Sequence, residues 1–516
     1  MTDSSGRQLS PSEWTLIRDV PVPKRPGGRY YRSALPFGAW GIMNDHGPRG
    51  AAHRLRTAAP LLCFACLATL MLAAAALVPA LVAPAAAQPL PGELLWARTY
   101  AGPQHLDDVA ADVAVGPDGS VYIAGTRDGG GASEAGQIIR IARYSAGGAL
   151  IWQRFYAAKA NTSESPAAIA VDRYGDAFVV GSRTDGTGSD LLLLRYDKTG
   201  RLKWVRSHRG PADGDSEGAD VAVDGRGDCY VTGQATRALS SSDLLVTRYT
   251  RAGVLRWTRY WTNPTVNGPD YGVSIAVTPG GRSVVSGDTR INLVKHSWVT
   301  VAFDRTGKRL WSHTFGTRGA VDNRADQVVI AKDGSVYVSG TVVVEGKREA
   351  AVVRYGVKGA LKWWHMYWGD KASCDWNAKV AVDQQGDAIL AATTIRAGLG
   401  YGWAVMKLSP QGDHVWLSEV DDAGSPDEVV TAVATDADGT VFVAGDVGTA
   451  EATDAACAGF SAADGTRIWF TTYDDPAHGI DLASALAVES GAGVFLAGSA
   501  SNEEGDADML LASFQP

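Results

Sequence analysis

The sequence predicts an all-β fold in which eight four-stranded antiparallel units close into a ring, and three observations lead to this prediction. A glycine followed four residues later by a tryptophan occurs eight times, and successive tryptophans are 52 to 56 residues apart. Two short apolar runs separated by a turn lie in each interval, and no stretch after residue 88 keeps a 3.6-residue apolar period. Four strands about every 53 residues are typical of one blade, so the chain is predicted to be an eight-bladed β-propeller.

Each unit holds four segments with the composition of β-strands. In the second unit they cover residues 169–171, 178–181, 191–196 and 202–204, which are rich in β-branched and aromatic side chains and are separated by turns of Asp, Gly, Lys and Thr. The second segment of a unit ends in glycine, with Ala392 as the one exception. These glycines are Gly125, Gly181, Gly233, Gly287, Gly340, Gly445 and Gly498.

The repeated glycine and tryptophan are interpreted as structural residues. The glycine falls in the turn between the third and fourth strands, where a positive φ is often required and glycine adopts it without a Cβ penalty. The tryptophan is expected to bury its ring between neighbouring blades, where an aromatic side chain contributes on the order of 3 kcal/mol. The eight tryptophans are Trp96, Trp152, Trp204, Trp257, Trp311, Trp363, Trp416 and Trp469.

The two ends of the repeat region predict how the ring closes. The last unit stops at residue 514, before any fourth strand, whereas the first unit begins with a spare strand at residues 92–96. We expect the N-terminal strand to complete the last blade, because a closed ring leaves no large exposed sheet edge.

The N-terminal region predicts export. Residues 61–82 carry no charge, and they follow three arginines and precede an Ala-x-Ala sequence that ends at Ala87. The prediction is a disordered leader or over-long gene model at 1–57, with Met43 as a possible start, then a signal peptide at 58–87 and the propeller at 88–516. The alternative is an uncleaved membrane anchor at 61–82. Either one places the propeller outside the cell or in its envelope.

Charge and cysteine content narrow the partners. The chain has 48 Lys and Arg against 56 Asp and Glu, and residues 1–87 hold nine of the basic and four of the acidic residues. The remaining 39 basic and 52 acidic residues argue against a nucleic-acid partner, which requires a basic face. Cys229, Cys374 and Cys457 are too few and too scattered for a disulfide framework. The chain is expected to be a monomer.

Two motifs resemble known propeller repeats. Residues 197–204 (DKTGRLKW) and 304–311 (DRTGKRLW) resemble the tryptophan-docking motif of eight-bladed propellers of the PQQ type, D-x-x-T-G-x-x-x-W, with one residue fewer between Asp and Thr. The pair of apolar runs is similar to the bacterial secreted β-propeller repeat called SBBP. The PQQ resemblance implies a calcium ion, a catalytic Asp and adjacent cysteines over the cofactor. This chain has no adjacent cysteines, so no cofactor is expected. The alternative is that the chain binds Ca²⁺ or PQQ.

One further column of polar residues recurs at a fixed spacing, seven residues before the end of each first-strand triplet. Every member carries a side-chain oxygen: Asp108, Glu164, Ser216, Asp270, Asn323, Asp375, Glu428 and Asp481. They are predicted to form a ligand-binding ring around one mouth of the channel, where oxygen ligands could attract a cation. The alternative is that each residue bonds the backbone of its own turn.

The sequence therefore favours an exported, non-enzymatic propeller that binds a protein, peptide or glycan. No catalytic residue and no metal ligand set is predicted, and the membrane is involved only through the N-terminal segment. The alternative is a degenerate PQQ-type quinoprotein, or another enzyme that uses the carboxylate ring.

Overall fold

The structure is a computed structural model that describes residues 89–103, 107–128, 136–159, 161–237, 241–292, 295–316, 322–344, 346–367, 377–396, 400–420, 427–449, 452–490 and 493–516. These residues contain thirty-two β-strands and one short 3-10 helix, Pro211–Asp213. The predicted leader, its cleavage site and the apolar segment at 61–82 lie outside them. Over the ranges described, no helix is long and apolar enough to cross a membrane.

The strands form eight separate four-stranded antiparallel sheets, which confirms the predicted eight-bladed propeller. Blade 1 contains β2 (Val109–Val115), β3 (Val121–Arg127), β4 (Ile138–Tyr144) and β5 (Leu150–Tyr156). Blade 2 contains β6 (Ser163–Val171), β7 (Ala177–Thr184), β8 (Ser189–Tyr196) and β9 (Leu202–His208). Blade 3 contains β10 (Ser216–Val223), β11 (Cys229–Thr236), β12 (Ser242–Tyr249) and β13 (Leu255–Trp261). Blade 4 contains β14 (Asp270–Val277), β15 (Ser283–Arg290), β16 (His296–Phe303) and β17 (Arg309–Phe315).

The second half of the ring repeats the same order. Blade 5 contains β18 (Arg324–Ile330), β19 (Val336–Val344), β20 (Lys347–Tyr355) and β21 (Leu361–Met366). Blade 6 contains β22 (Ala378–Val382), β23 (Ala388–Arg396), β24 (Gly400–Leu408) and β25 (His414–Val420). Blade 7 contains β26 (Asp427–Thr435), β27 (Val441–Gly448), β28 (Thr453–Phe460) and β29 (Arg467–Tyr473). Blade 8 contains β30 (Leu482–Glu489), β31 (Gly493–Ser501), β32 (Ala507–Phe514) and, from the other end of the chain, β1 (Leu94–Tyr100).

Strand β1 closes the ring as the sequence predicts. It pairs antiparallel with β32, with Tyr100 opposite Met509. Gly92 N–H donates to Gln515 O at 2.8 Å, and Gln515 N–H donates to Glu93 O at 2.9 Å. Each blade's first strand also touches the first strands of both neighbouring blades, so the eight first strands form the innermost ring around the axis.

The two ends of the strands differ. We call the end that carries the turns from first to second and from third to fourth strands the tight-turn end. Thirteen of its fifteen turns contain five residues, since no turn joins β32 to β1. The opposite end, here the long-loop end, carries the connections from second to third strands and between blades, which range from two to eleven residues. The turns at one end of the ring are therefore nearly constant in length, and the connections at the other end vary in length.

The closing glycines lie opposite a bulge in the first strand. In blade 2 the register shifts between Pro166 and Ala168, and a Cβ on the facing Gly181 would collide with the carbonyl oxygen of Ser165. Similar shifts occur in the first strands of seven blades. The described pairing of β22 with β23 has none, and there Ala392 stands in place of glycine. The single exception in the sequence therefore coincides with the single unbulged register.

The repeated glycines and tryptophans join neighbouring blades. All eight glycines have φ between 72° and 91°, and a Cβ on any of them would lie 2.5 to 2.9 Å from the tryptophan ring of the preceding blade. Seven tryptophans donate Nε1–H to a carbonyl in the same turn, at 2.9 to 3.4 Å. Trp469, which docks at the seam with β1, finds no acceptor in the described part of the chain. Thr471 compensates by donating to Gly92 O at 2.8 Å.

Adjacent glycines in one turn test this docking. A Cβ at Gly148 would lie 2.5 Å from the Trp96 ring at a φ of 78°, whereas one at Gly147 would meet only Ser145 Oγ at 3.9 Å. We expect Gly148→Ala to lower the free energy of unfolding by about 2 to 4 kcal/mol. The control Gly147→Ala should change it by less than about 1 kcal/mol. Urea denaturation measures both, and equal midpoints for the two variants would show that the glycine is not required.

Candidate functional site

The predicted ring of polar residues, here called the column, lies at the start of the first strands on the long-loop end. Seven members are described, and each is at most 1% exposed: Asp108, Glu164, Ser216, Asp270, Asn323, Glu428 and Asp481. Asp375 lies outside the described residues. The seven side chains are packed within the rim of the ring and have little contact with water.

Asp108 and Asp481 show what the buried carboxylates bind. Asp108 accepts the Gly102 N–H, from the connection that enters the blade, and the Asp128 N–H at 3.2 Å, from the end of the second strand. Asp481 repeats this arrangement, because it accepts the Asp475 N–H at 2.8 Å and the Ser501 N–H at 3.0 Å. Each carboxylate therefore ties the entering connection to the second strand of the same blade.

The other column residues make related contacts. Glu164 Oε1 accepts the hydroxyl of Thr162 at 2.6 Å, and Asn323 Oδ1 accepts the Val343 N–H at 2.9 Å. Ser216 Oγ has no hydrogen-bond partner among the residues described. These are the backbone and loop contacts of the alternative interpretation, and ligand binding by the column stays a prediction.

The electrostatics of the column follow from its burial. Burial raises the pKa of Asp108, Asp270 and Asp481 to about 6 in each case, against the opposing effect of the backbone hydrogen bonds they accept. A carboxyl group that titrates near neutral pH has a value suited to general acid or base chemistry. The alternative enzymatic function depends on this property.

One column residue also belongs to a group of three carboxylates. The ligand atoms of Asp454, Asp474 and Asp481 all lie within 4.8 Å of one another, and His478 Nδ1 lies 2.7 Å from Asp474 Oδ2. Both oxygens of Asp481 already accept a backbone N–H. A cation at this position would have to compete with those bonds.

A second set of acidic residues lies on the innermost strands and was missed by the sequence analysis. Asp112 Oδ2 accepts the Ile169 N–H of the next blade at 2.8 Å, and Asp220 Oδ2 accepts the Ile275 N–H at 2.8 Å. These N–H groups lie on the inner edge strand of each sheet, and the carboxylate of the preceding blade supplies their acceptor. Burial raises the pKa of Asp112 to about 7 and that of Asp220 to about 6. The signal was present as the repeated Asp-Val-Ala-Val at 112–115 and 220–223.

Arginines on the third strands complete the junctions at the tight-turn end, and the sequence analysis also missed these residues. Lys198 O accepts both Trp152 Nε1–H at 3.0 Å and Arg143 Nη1–H at 2.6 Å from the preceding blade. Arg143 also pairs with Asp118 at 2.5 Å. Arg195, Arg248, Arg354 and Lys407 make the corresponding contacts in other blades. The Arg-Tyr pair that ends four third strands was the available signal.

The cysteines do not fit a PQQ site. Cys229 lies on β11 and Cys457 on β28, in different blades, and both are fully buried in hydrophobic clusters. Burial raises the pKa of both thiols above the usual range. Cys374 lies outside the described residues. The described cysteines therefore provide no adjacent pair over a central cofactor.

No family model and no curated protein matches the sequence. Solved structures share its fold. The quinohemoprotein alcohol dehydrogenase from Comamonas testosteroni is 13% identical, covers 81% of this chain and 76% of its own, and has a TM-score of 0.49. Sqt1 from Chaetomium thermophilum, bound to the N-terminus of the ribosomal protein L10, is 11% identical, covers 81% and 98%, and has a TM-score of 0.49. The Dos1 propeller is 8% identical, covers 82% and 94%, and has a TM-score of 0.48. Similarity at this level identifies no activity.

Substitution of Asp270 distinguishes the two interpretations of the column. Its carboxylate accepts the Asn263 N–H at 2.9 Å and the Thr289 hydroxyl at 2.6 Å, and both partners are buried. If the role is structural, Asp270→Ala should lower the free energy of unfolding by about 2 to 4 kcal/mol, because it leaves two buried donors unpaired. Asp270→Asn, which keeps an acceptor, should lower it by less than half as much.

Calcium titration completes that test. A cation bound by the column would raise the unfolding midpoint of the wild type with increasing Ca²⁺, and Asp270→Asn would abolish the rise. A structural column predicts no Ca²⁺ dependence in either protein. An Asp270→Ala variant more stable than the wild type would contradict the structural role.

The inner carboxyl groups predict a pH dependence. Burial raises the pKa of Asp446 to about 7, although it accepts the Ala483 N–H at 2.7 Å. The native state therefore holds a proton that the unfolded state releases near pH 4, so this contribution to stability is complete below that pH and is lost as the pH rises towards 7. Between pH 5 and pH 8, the wild type should lose on the order of 2 kcal/mol relative to Asp446→Asn.

Urea denaturation at several pH values measures this difference, and histidines common to both proteins cancel in it. The control is Asp438→Asn, since Asp438 is exposed in the next turn of the same blade. A wild-type minus Asp446→Asn difference that is constant with pH would exclude the buried proton.

Proposed function

We propose that the chain is an exported, non-enzymatic propeller of the SBBP type that binds a protein or peptide partner through its long-loop end. One observation carries the proposal. Thirteen of the fifteen turns at the tight-turn end contain five residues, whereas connections at the long-loop end vary from two to eleven. Variable loops on a rigid, repetitive frame are typical of binding surfaces.

The side chains at the inner rim of this end support a protein partner. They directly follow the column, and the described ones are Val109, Ser165, Glu217, Tyr271, Arg324, Val429 and Leu482. All of these are exposed or half-buried. Among these described side chains, the mixture of charged and aliphatic groups with one aromatic ring suits a peptide surface.

The hydrogen bonds of the column count against the enzymatic alternative. Asp108 and Asp481 hold backbone N–H groups with both oxygens, so a reaction at either would have to break the contacts that hold the rim. The raised pKa of these groups is the observation in favour of the alternative. Native mass spectrometry of the full chain with Ca²⁺ and PQQ tests it, and retention of a cofactor mass would favour an enzyme.

Site-specific photo-crosslinking in the host cell tests the binding surface. Benzoylphenylalanine at Tyr271 or Leu482 should yield one common cross-linked partner, because both residues lie at the rim of the long-loop end. The matched controls are Leu202 and Leu255, which are 40% and 46% exposed on outer strands. Equal cross-linking from the outer strands, or none from the rim, would contradict the proposal. Cross-links to sugar alone would assign a glycan partner.

A further inference from the structure

The turns of the tight-turn end divide the ring into two halves of opposite charge. In blades 6, 7, 8 and 1 these turns, together with the segment that enters β1, contain eight acidic residues and no basic one: Asp383, Asp387, Asp413, Asp436, Asp438, Asp464, Glu93 and Asp118. In blades 2 to 5 they contain ten basic residues: Arg173, Lys198, Arg201, Arg226, Arg251, Arg282, Arg305, Lys308, Lys332 and Lys358. Each set occupies four consecutive blades, so each covers half of this end.

Acidic residues do not cancel the basic half at the surface. Its turns also contain seven Asp, but Asp172, Asp176, Asp224 and Asp228 are buried. Arg251 and Arg305, which are only partly exposed, are the residues that reach these carboxylates from the next blade. The exposed basic residues are Arg173, Lys198, Arg201, Arg226, Lys308, Lys332 and Lys358, against Asp333 as the exposed acidic residue. The exposed acidic residues of the other half are Glu93, Asp118, Asp413, Asp438 and Asp464.

We propose that the tight-turn end is a self-complementary surface through which two copies of this chain pair face to face. A two-fold axis along the boundary between the halves places the basic half of each copy on the acidic half of the other. Both halves are then satisfied by the same operation, as an isologous interface requires. An acidic partner of another kind would neutralise only the basic half. This pairing replaces the expectation of a monomer, and it leaves the long-loop end free.

Apolar groups at this end add to the charge pattern. The Tyr174 ring is 42% exposed and lies between two guanidinium groups, with Arg251 at 4.2 Å and Arg173 at 4.7 Å from its centroid. It lines a cleft of about 540 Å³. Val254 and Val357, in turns of the same end, are 52% and 47% exposed. Aromatic and arginine side chains of this kind are enriched at the centre of interfaces.

Sedimentation equilibrium of the full chain tests the proposal. At about 50 mM NaCl the wild type should form dimers, and at about 1 M NaCl its dissociation constant should rise at least about tenfold, because exposed charges are screened. The variant Arg226→Glu, Lys332→Glu, Lys358→Glu leaves four exposed basic and four exposed acidic residues in the basic half, so this half no longer attracts the acidic one and the variant should be monomeric. The variant Asp413→Lys, Asp438→Lys, Asp464→Lys adds basic charge to the acidic half and should also be monomeric.

Recombining the substitutions separates pairing from misfolding. A 1:1 mixture of the two triple variants should form a heterodimer more readily than either variant forms a homodimer, because the unchanged acidic half of one then faces the unchanged basic half of the other. The matched control Asp107→Lys, Glu503→Lys, Glu504→Lys reverses three exposed charges at the long-loop end and should dimerise like the wild type. A monomeric wild type at low salt, or dimers that persist in either triple variant, would overturn the proposal.

Discussion

The junction between blades depends on a glycine that faces a tryptophan ring with no room for a Cβ. At Gly148 an added Cβ would lie 2.5 Å from the ring of Trp96, and the equivalent contact occurs at all eight junctions. Ala146 O, in the same turn, accepts the indole N–H at 2.9 Å. One residue type therefore meets a backbone and a packing requirement together, which fixes the turns at nearly constant length. The described residues of the opposite end make no such contact, and its connections vary in length.

This constraint explains why the sequence predicted the fold so fully. No other residue type readily replaces a glycine at a positive φ or the tryptophan that packs against its Cα. The Gly-x-x-x-Trp pair can therefore be recognised in the sequence at all eight positions, with tryptophans 52 to 56 residues apart. The spare strand at residues 92–96 and the missing one after residue 514 then determine the closure. Even Ala392, the exception among the closing glycines, corresponds to a feature of the structure, because the described register beside it has no bulge.

The candidate site was predicted less well, and the bulge is the reason. Side chains on a regular strand alternate strictly, but a bulge between Ala110 and Asp112 adds a residue and changes which side chain faces the axis. The spacing therefore found the column, at Asp108 and its equivalents, without showing that those carboxylates turn towards the loop backbone. It also left out Asp112 and Asp220, which lie beyond the bulge. The spacing of residues in the sequence gives the position of a side chain along the strand. The direction in which that side chain points depends on how the strand pairs with its neighbour.

The acidic residues have opposite electrostatic environments at different depths of the fold. Burial raises the pKa of Asp228, but bonds from Arg248 and Arg305 outweigh it and hold that pKa below the usual range. Asp446, on the second strand of blade 7, accepts a backbone N–H, and burial raises its pKa to about 7. Arginines thus neutralise the buried aspartate of the turn, whereas the raised pKa favours the uncharged form of the buried aspartate on the strand. The charged residues that can act on other molecules are therefore the exposed ones in the turns. In the proposed dimer those residues lie in the interface, and the two long-loop ends point in opposite directions. Such an assembly presents two copies of one binding surface, and a bivalent scaffold gains avidity for a partner that is itself repeated.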